Sequence, residues 1–216
     1  LINFLKILNN EERIFILGAG SNILITDGLF DGVVIKLGKN FGNISLRSEN
    51  IIVAGSAVLD KNLSHFALQN NLSGFEFLSC IPGTIGGGIS MNAGCFGKEF
   101  KDILISVQAI DKLGRVISIP AKEIKFEYRK NNIPQDYIFL SASFKGTKSK
   151  KNKIETVINE LKLKKEKNQP TRIKTSGSTF KNPISQSSKK VWQLIQESVS
   201  LNQSFGDACI SKKHCN

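Results

Sequence analysis

The sequence predicts an α+β fold in two lobes, and three observations point there. Short apolar runs of strand length, such as Ile14 to Leu17 and Ile51 to Ala54, recur through the first two thirds of the chain. Glycines and turn dipeptides such as Asp27-Gly28 and Asp31-Gly32 punctuate them. Beyond about residue 146 the texture changes to lysine-rich helical patterns. The expected lobes are therefore 1–146 and 147–216.

Within the first lobe, Ile2 to Leu8 reads as a helix. Arg13 to Leu17, Ile23 to Thr26, Val33 to Leu37, Ile44 to Arg47 and Ile51 to Ala54 read as strands. Asp60 to Asn71 reads as a helix, because Leu63, Phe66 and Ala67 share a face at helical spacing. Val107 to Ile110 and Val116 to Ile119 flank Lys112-Leu113-Gly114-Arg115 as a hairpin, and Tyr137 to Phe144 supplies another strand. Lys145 to Lys153 reads as a linker or exposed turn. A helix follows from Ile154 to Lys167, with Ile154, Val157, Ile158 and Leu161 on one face, and Pro170 is expected to stop it. A Gly/Ser-rich segment and a second helix around Lys190 to Ser198 complete the pattern.

Composition excludes several classes. The chain has 216 residues, 40% hydrophobic and 22% charged, an ordinary globular profile. A chain of that length buries about 70% of the surface of its unfolded form, so no disulfide staple is required. No apolar run approaches the roughly 18 residues of a membrane span, and no signal peptide is visible. The four cysteines form no C-x-x-C pair and read as reduced thiols of a cytoplasmic protein. Cys209, His214 and Cys215 lie close together, but their spacing matches no common zinc pattern, so no metal site is expected. The chain begins at Leu1 inside a helical pattern and stops at Asn216 without a cap, and it reads as a fragment lacking both ends.

The net charge of +12 is uneven: Lys145 to Lys174 holds ten Lys and one Arg against three Glu, a local excess of eight. Such a cluster is an electrostatic footprint for nucleic acid. The stretch has no aromatic residue for base stacking and no recognisable motif, so solvated helix faces are the favoured explanation and nucleic acid is not an expected partner.

Two glycine-rich segments carry the chemistry. Leu17-Gly18-Ala19-Gly20-Ser21-Asn22 follows a strand, where glycines let backbone N–H groups approach a phosphate. Ile23 stands where a dinucleotide fingerprint needs its third glycine, and taken alone this turn is more often a structural bend. The second segment is denser. Seven of the 16 residues from Pro82 to Gly97 are glycine or proline, a density that weakens secondary structure and suits backbone wrapped closely around a ligand. Two such loops well apart in sequence suggest a long ligand carrying a diphosphate.

Gly18-Ala19-Gly20-Ser21-Asn22, together with Pro82-Gly83-Thr84-Ile85-Gly86-Gly87 and Asn92-Ala93-Gly94, resembles the FAD-binding loops of the MurB family, the UDP-N-acetylenolpyruvoylglucosamine reductases. That family sits in the flavoprotein group of p-cresol methylhydroxylase and vanillyl-alcohol oxidase. Phe126-Glu127-Tyr128-Arg129 is similar to the family's Tyr-Arg pair, and Ser176-Gly177-Ser178-Thr179-Phe180-Lys181-Asn182-Pro183 to its Gly-Ser-x-Phe-Lys-Asn-Pro segment. The resemblance implies an FAD-binding lobe followed by a smaller α+β substrate-binding lobe, and a reaction in two halves. NADPH reduces FAD, and hydride then passes to the enolpyruvyl group of UDP-N-acetylglucosamine enolpyruvate, giving a peptidoglycan precursor.

The same resemblance assigns cofactor binding to Gly18, Ala19, Gly20, Ser21, Asn22, Pro82, Gly83, Thr84, Gly86, Gly87, Asn92 and Gly94. Hydride addition leaves negative charge beside a carboxylate, which suits an always-protonated side chain; Arg129 matches that position. Ser178 matches the proton donor, while Tyr128 and Asn182 match substrate contacts. A third catalytic residue, a glutamate, is expected beyond Asn216. The absence of a tyrosine-bearing insertion points to the shorter of two subtypes, a monomer is favoured, and the chain as it stands is expected to be impaired. A different oxidase of the same superfamily and a basic nucleic-acid-binding module are the alternative readings.

Overall fold

The structure, a computed structural model, describes residues 1–8, 12–169, 178–211 and 213–216. The chain divides into two compact units. One comprises Leu1–Gly20 and Thr26–Leu161, the other Ser21–Ile25 and Lys162–Asn216. The division falls at Leu161, inside a helix, whereas the lobes expected from sequence meet at 146/147.

The first unit opens with α1 (Ile2–Ile7), then β1 (Ile14–Ile16) and β2 (Val33–Ile35), which pair in parallel with Ile14 opposite Val33. Next come β3 (Ile44–Ser48), β4 (Ile51–Gly55), α2 (Asp60–Gln69), β5 (Leu72–Ser73) and α3 (Ile85–Ser90). The short hairpin of β6 (Gly94–Cys95) and β7 (Lys98–Glu99) precedes three long elements, β8 (Leu104–Ile110), β9 (Val116–Pro120) and β10 (Ile138–Lys145). β11 (Thr147–Lys148) and the start of α4 (Lys151–Asn168) complete it.

The central sheet is antiparallel in the order β3-β4-β10-β8-β9. β4 alternates apolar side chains towards a core in which Ile52, Ala54, Val107 and Phe144 are buried. α2 lays Leu63 and Ala67 into that core, and Phe100 meets Phe77 and Phe144 edge-on at centroid distances of 6.3 and 6.0 Å. Aromatic edges directed at ring faces add about 0.5–1.5 kcal/mol per pair to the burial itself. A second small core joins α1 to the sheet through Leu5, Ile35, Ile110 and Ile138. The expected Val107–Ile119 hairpin closes through Asp111, which accepts from the Arg115 backbone N–H at 2.9 Å and from its Nε at 2.7 Å. These bonds hold the Asp111 carboxyl below the usual carboxylate range.

Three local expectations are corrected. Ile23–Thr26 is not a strand: no strand among the described residues pairs with it, and Leu24 and Ile25 are exposed. Lys145–Lys153 is not a linker. Thr147 and Lys148 pair with Ser73 and Leu72, and α4 begins at Lys151. Gly146 permits this approach, since a Cβ there would stand 2.8 Å from the Phe75 ring. The dense glycine segment also contains a helix. α3 forms despite three glycines because Ile85 and Ile89, one turn apart, are both fully buried, and because Gly88 leaves room for the Phe100 ring.

The second unit contains the end of α4, then α5 (Val191–Ser198), β12 (Ser204–Phe205) and β13 (Ala208–Cys209), the last two paired antiparallel. Val191 is its one buried hydrophobic residue among those described. Pro170, Ser176, Gly177 and the Gly/Ser-rich stretch around them lie outside the described residues. Among the described residues no helix is long and apolar enough to cross a membrane.

Candidate functional site

The first glycine loop begins where β1 ends. Leu17 N–H still donates to Ile35 O at 2.9 Å, so the chain leaves the parallel pair in a fixed direction before Gly18. Gly20 takes φ +75°, a left-handed turn that glycine adopts without steric penalty. Gly18, Ala19 and Gly20 belong to the first unit, while Ser21 and Asn22 belong to the second.

The second loop is built by backbone pairing with the β4–α2 connection. Asp60 N–H donates to Gly83 O at 3.1 Å, Ile85 N–H to Val58 O at 2.9 Å, and Gly86 N–H to Ser56 O at 2.9 Å. Pro82-Gly83-Thr84 is thereby held as a short ladder edge that runs directly into α3. The two glycine loops approach closely: a Cβ on Gly18 would stand 2.7 Å from Thr84 Oγ1, while one on Gly86 would stand 3.1 Å from Ser56 Cβ in the β4–α2 connection. The first unit therefore brings Gly18, Thr84, Gly86 and Gly87 into one neighbourhood although the segments are remote in sequence.

Asn92 and Gly94 have structural duties of their own. Asn92, buried at φ +42°, donates through Nδ2 to Glu99 Oε2 at 2.9 Å and accepts from Lys101 N–H at 3.2 Å. A Cβ on Gly94 would stand 2.6 Å from Lys98 O, so glycine there permits the tight β6–β7 hairpin.

Tyr128 and Arg129 form the two-residue apex of a turn. Glu127 N–H donates to Lys130 O at 2.9 Å, and Glu127 pairs with Lys130 through their side chains at 2.8 Å. Arg129 sits at φ +63°, uncommon for a residue with a side chain, and its guanidinium lies 5.9 Å from the Tyr128 ring centroid. In the second unit, Asn182 Oδ1 accepts from Val191 N–H at 3.0 Å and so caps α5. Ser178 is exposed. The neighbouring Phe180 is clasped by Asn216, with Phe180 N–H donating to Oδ1 at 2.8 Å and Nδ2 donating to Phe180 O at 3.1 Å.

Sequence reasoning missed two features. Beneath the second loop, Asp60, Ser56 and Ser64 are buried, and neither the Asp60 carboxyl oxygens nor the two hydroxyls hydrogen-bond within the protein. Burial pushes the Asp60 carboxyl up to about 7. Asn131, which ties the Arg129 turn to α3, was the other. Both residue types are common on surfaces, and no spacing marks them out. Among the described residues no group of three or more His, Cys, Asp or Glu is arranged to hold a metal; Cys215 Sγ instead donates to Trp192 O.

The antiparallel sheet with its two glycine loops is an FAD-binding domain by family: residues 1–120 match the family model described as FAD binding domain. Residues 169–216 match the model described as UDP-N-acetylenolpyruvoylglucosamine reductase, C-terminal domain. The chain belongs to the UDP-N-acetylenolpyruvoylglucosamine reductase family. The protein of that name from Pelagibacter ubique (strain HTCC1062) is 66% identical over 216 residues, which are 100% of this chain and 72% of that protein. Its namesake from Rickettsia typhi (strain ATCC VR-144 / Wilmington) is 45% identical over the same shares. The crystal structure of the Thermus caldophilus enzyme (MurB) superposes with a TM-score of 0.82 at 32% identity, covering 96% of this chain and 74% of that one. A carbon monoxide dehydrogenase chain from Hydrogenophaga pseudoflava, 13% identical over 68% of this chain and 55% of that one at TM-score 0.51, shares the fold alone.

Proposed function

We propose that this chain carries out the NADPH-dependent, FAD-mediated reduction of UDP-N-acetylglucosamine enolpyruvate to UDP-N-acetylmuramate, a step of cytoplasmic peptidoglycan precursor synthesis. The observation that carries the reading is the 66% identity, over every residue of this chain, to a protein named for that reductase. In this reading residues 1–146 form the flavin lobe and 147–216 the substrate lobe.

The residues present fit the flavin. A Cβ at Gly18 would close the gap to Thr84, and Gly83, Gly86 and Gly87 leave the backbone that runs from Pro82 into α3 without side chains, so a ligand can approach it closely. Gly18, Ala19, Gly20, Ser21, Asn22, Pro82, Gly83, Thr84, Gly86 and Gly87 would hold it, with Asn92 and Gly94 shaping the hairpin that follows α3. When bound, FAD supplies the two-electron chemistry that links NADPH to the substrate double bond.

The chain's own side chains manage charge and proton. As hydride adds to one carbon of the enolpyruvyl C=C bond, its π electrons move towards the carboxylate-bearing carbon. Arg129 stabilises the negative charge developing there. Ser178 Oγ–H then delivers the proton that completes the C–C single bond. Tyr128 and Asn182 orient the substrate.

The test uses the chain loaded with FAD and freed of excess. Anaerobic NADPH should bleach the flavin absorbance, and the enolpyruvyl substrate should restore it with one UDP-N-acetylmuramate formed per flavin. Bleaching without restoration by this substrate would overturn the substrate assignment; a chain that retains no flavin would overturn the reading that this chain by itself carries out the reaction.

A further inference from the structure

We infer that Asn131 is a positioning residue that fixes the turn bearing Arg129 to the far end of the helix that leads out of the glycine-rich loop. The inference rests on the role given to Arg129 above.

Within the 127–130 turn the Glu127 and Lys130 backbones pair with each other, and their exposed ion pair contributes little. The next residue ties the turn to α3. Asn131 Nδ2 donates to Ile89 O and to Ser90 O, both at 3.1 Å, while its Oδ1 accepts from Ile133 N–H at 2.9 Å. The side-chain nitrogen has two hydrogens, and each finds a carbonyl. Those carbonyls belong to the last turn of α3, and Ile89 O also accepts from Asn92 N–H at 3.1 Å.

α3 is itself held at its first turn and along its buried face. Its first turn is bonded to Val58 and Ser56, and Ile85 and Ile89 are fully buried. Six helical residues at 1.5 Å each place the glycine loop and the Asn131 anchor about 9 Å apart. The neighbouring Asn132 works differently. It accepts from Lys125 N–H at 2.7 Å and donates to Glu123 O, and so braces the loop only against itself. Asn131 thus ties the turn that bears Arg129 to α3, and Asn132 is its natural control.

The experiment compares Asn131→Ala with Asn132→Ala in the FAD-loaded chain, measuring each half-reaction and the backbone amide exchange of Glu127 and Lys130. Asn131→Ala should slow substrate-driven reoxidation by roughly 10- to 100-fold, the scale of a displacement of about 1 Å. Flavin reduction by NADPH should stay within about twofold, since Arg129 is assigned to the enolpyruvyl half-reaction. Exchange at Glu127 and Lys130 should accelerate, and Asn132→Ala should produce neither effect. Equal behaviour of the two variants, equal loss of both half-reactions, or unaltered exchange would each overturn the inference. The exchange measurement needs no substrate, so it decides the tether even if the enolpyruvyl compound proves not to be the substrate. Should Asn131→Ala not fold, Asn131→Asp keeps the acceptor for Ile133 and removes both donors, and the same outcomes decide.

Discussion

Gly18 and Thr84 face each other so closely that a single methyl group on Gly18 would come within 2.7 Å of Thr84 Oγ1. Two loops from remote parts of the sequence are thus matched in shape before any ligand is considered. Gly18 is not a left-handed glycine, so its constraint is the neighbour and not the backbone angle.

Gly18→Ala should therefore weaken FAD retention by roughly tenfold or more, because the buried Thr84 side chain or the loop itself must shift to admit the Cβ. Thr84→Ala removes the opposing oxygen, so the pair Gly18→Ala/Thr84→Ala should recover part of that loss. Titration of each variant with FAD by visible absorbance checks both arms. Loss that is unchanged in the double variant would mean that Gly18 is needed for another reason.

Asp60 ties the second loop through its backbone, and its carboxyl is buried among groups that offer it no hydrogen bond. Burial raises that carboxyl from 3.8 to about 7 in the folded chain. The folded chain therefore keeps a proton that the unfolded chain releases above its own lower value. Between pH about 4 and 7 stability must fall as pH rises, and the loss levels off above 7. The span corresponds to roughly 4 kcal/mol as an order of magnitude. Asp60→Asn removes the titration, so its melting temperature relative to the unmutated chain should climb from pH 4 to pH 7 and then stay level. A difference independent of pH would show that Asp60 is ionised in the fold.

Much of this architecture was legible. Ile14–Ile16, Ile51–Gly55 and Val116–Pro120 form strands where apolar runs lay between turn signals, and Asp60–Gln69 is helical where Leu63 and Ala67 shared a face. The failures have physical causes. Ile23–Thr26 has the composition of a strand, but a strand exists only with a partner, which composition does not reveal. Ile85–Ser90 has glycines that oppose a helix, and the long-range burial of Ile85 and Ile89 overrides them. Of the site, the glycine loops and Tyr128-Arg129 stood out as motifs, whereas Asp60 and Asn131 did not. Their importance lies in what surrounds them, and a lone Asp or Asn in sequence carries no record of that.

The proposed charge-stabilising role of Arg129 and its backbone strain can be separated. At φ +63° a side chain crowds its own carbonyl, at a cost of about 1–2 kcal/mol that glycine does not bear. Arg129→Ala and Arg129→Gly both delete the guanidinium, so each should slow the enolpyruvyl half-reaction by at least about a hundredfold. Neither should prevent flavin reduction by NADPH. They should differ in stability, with Arg129→Gly melting higher than Arg129→Ala by about 2–4 °C, the shift expected for roughly 1 kcal/mol in a chain of this size. Thermal melts of the two purified variants provide the comparison, and equal midpoints would show that the turn relaxes on losing its arginine. Arg129→Lys keeps the charge and the strain but lacks the planar fork, so it should recover only part of the lost rate. Full recovery by lysine would mean that charge alone, and not the two-pronged geometry of the guanidinium, is what the substrate carboxylate requires.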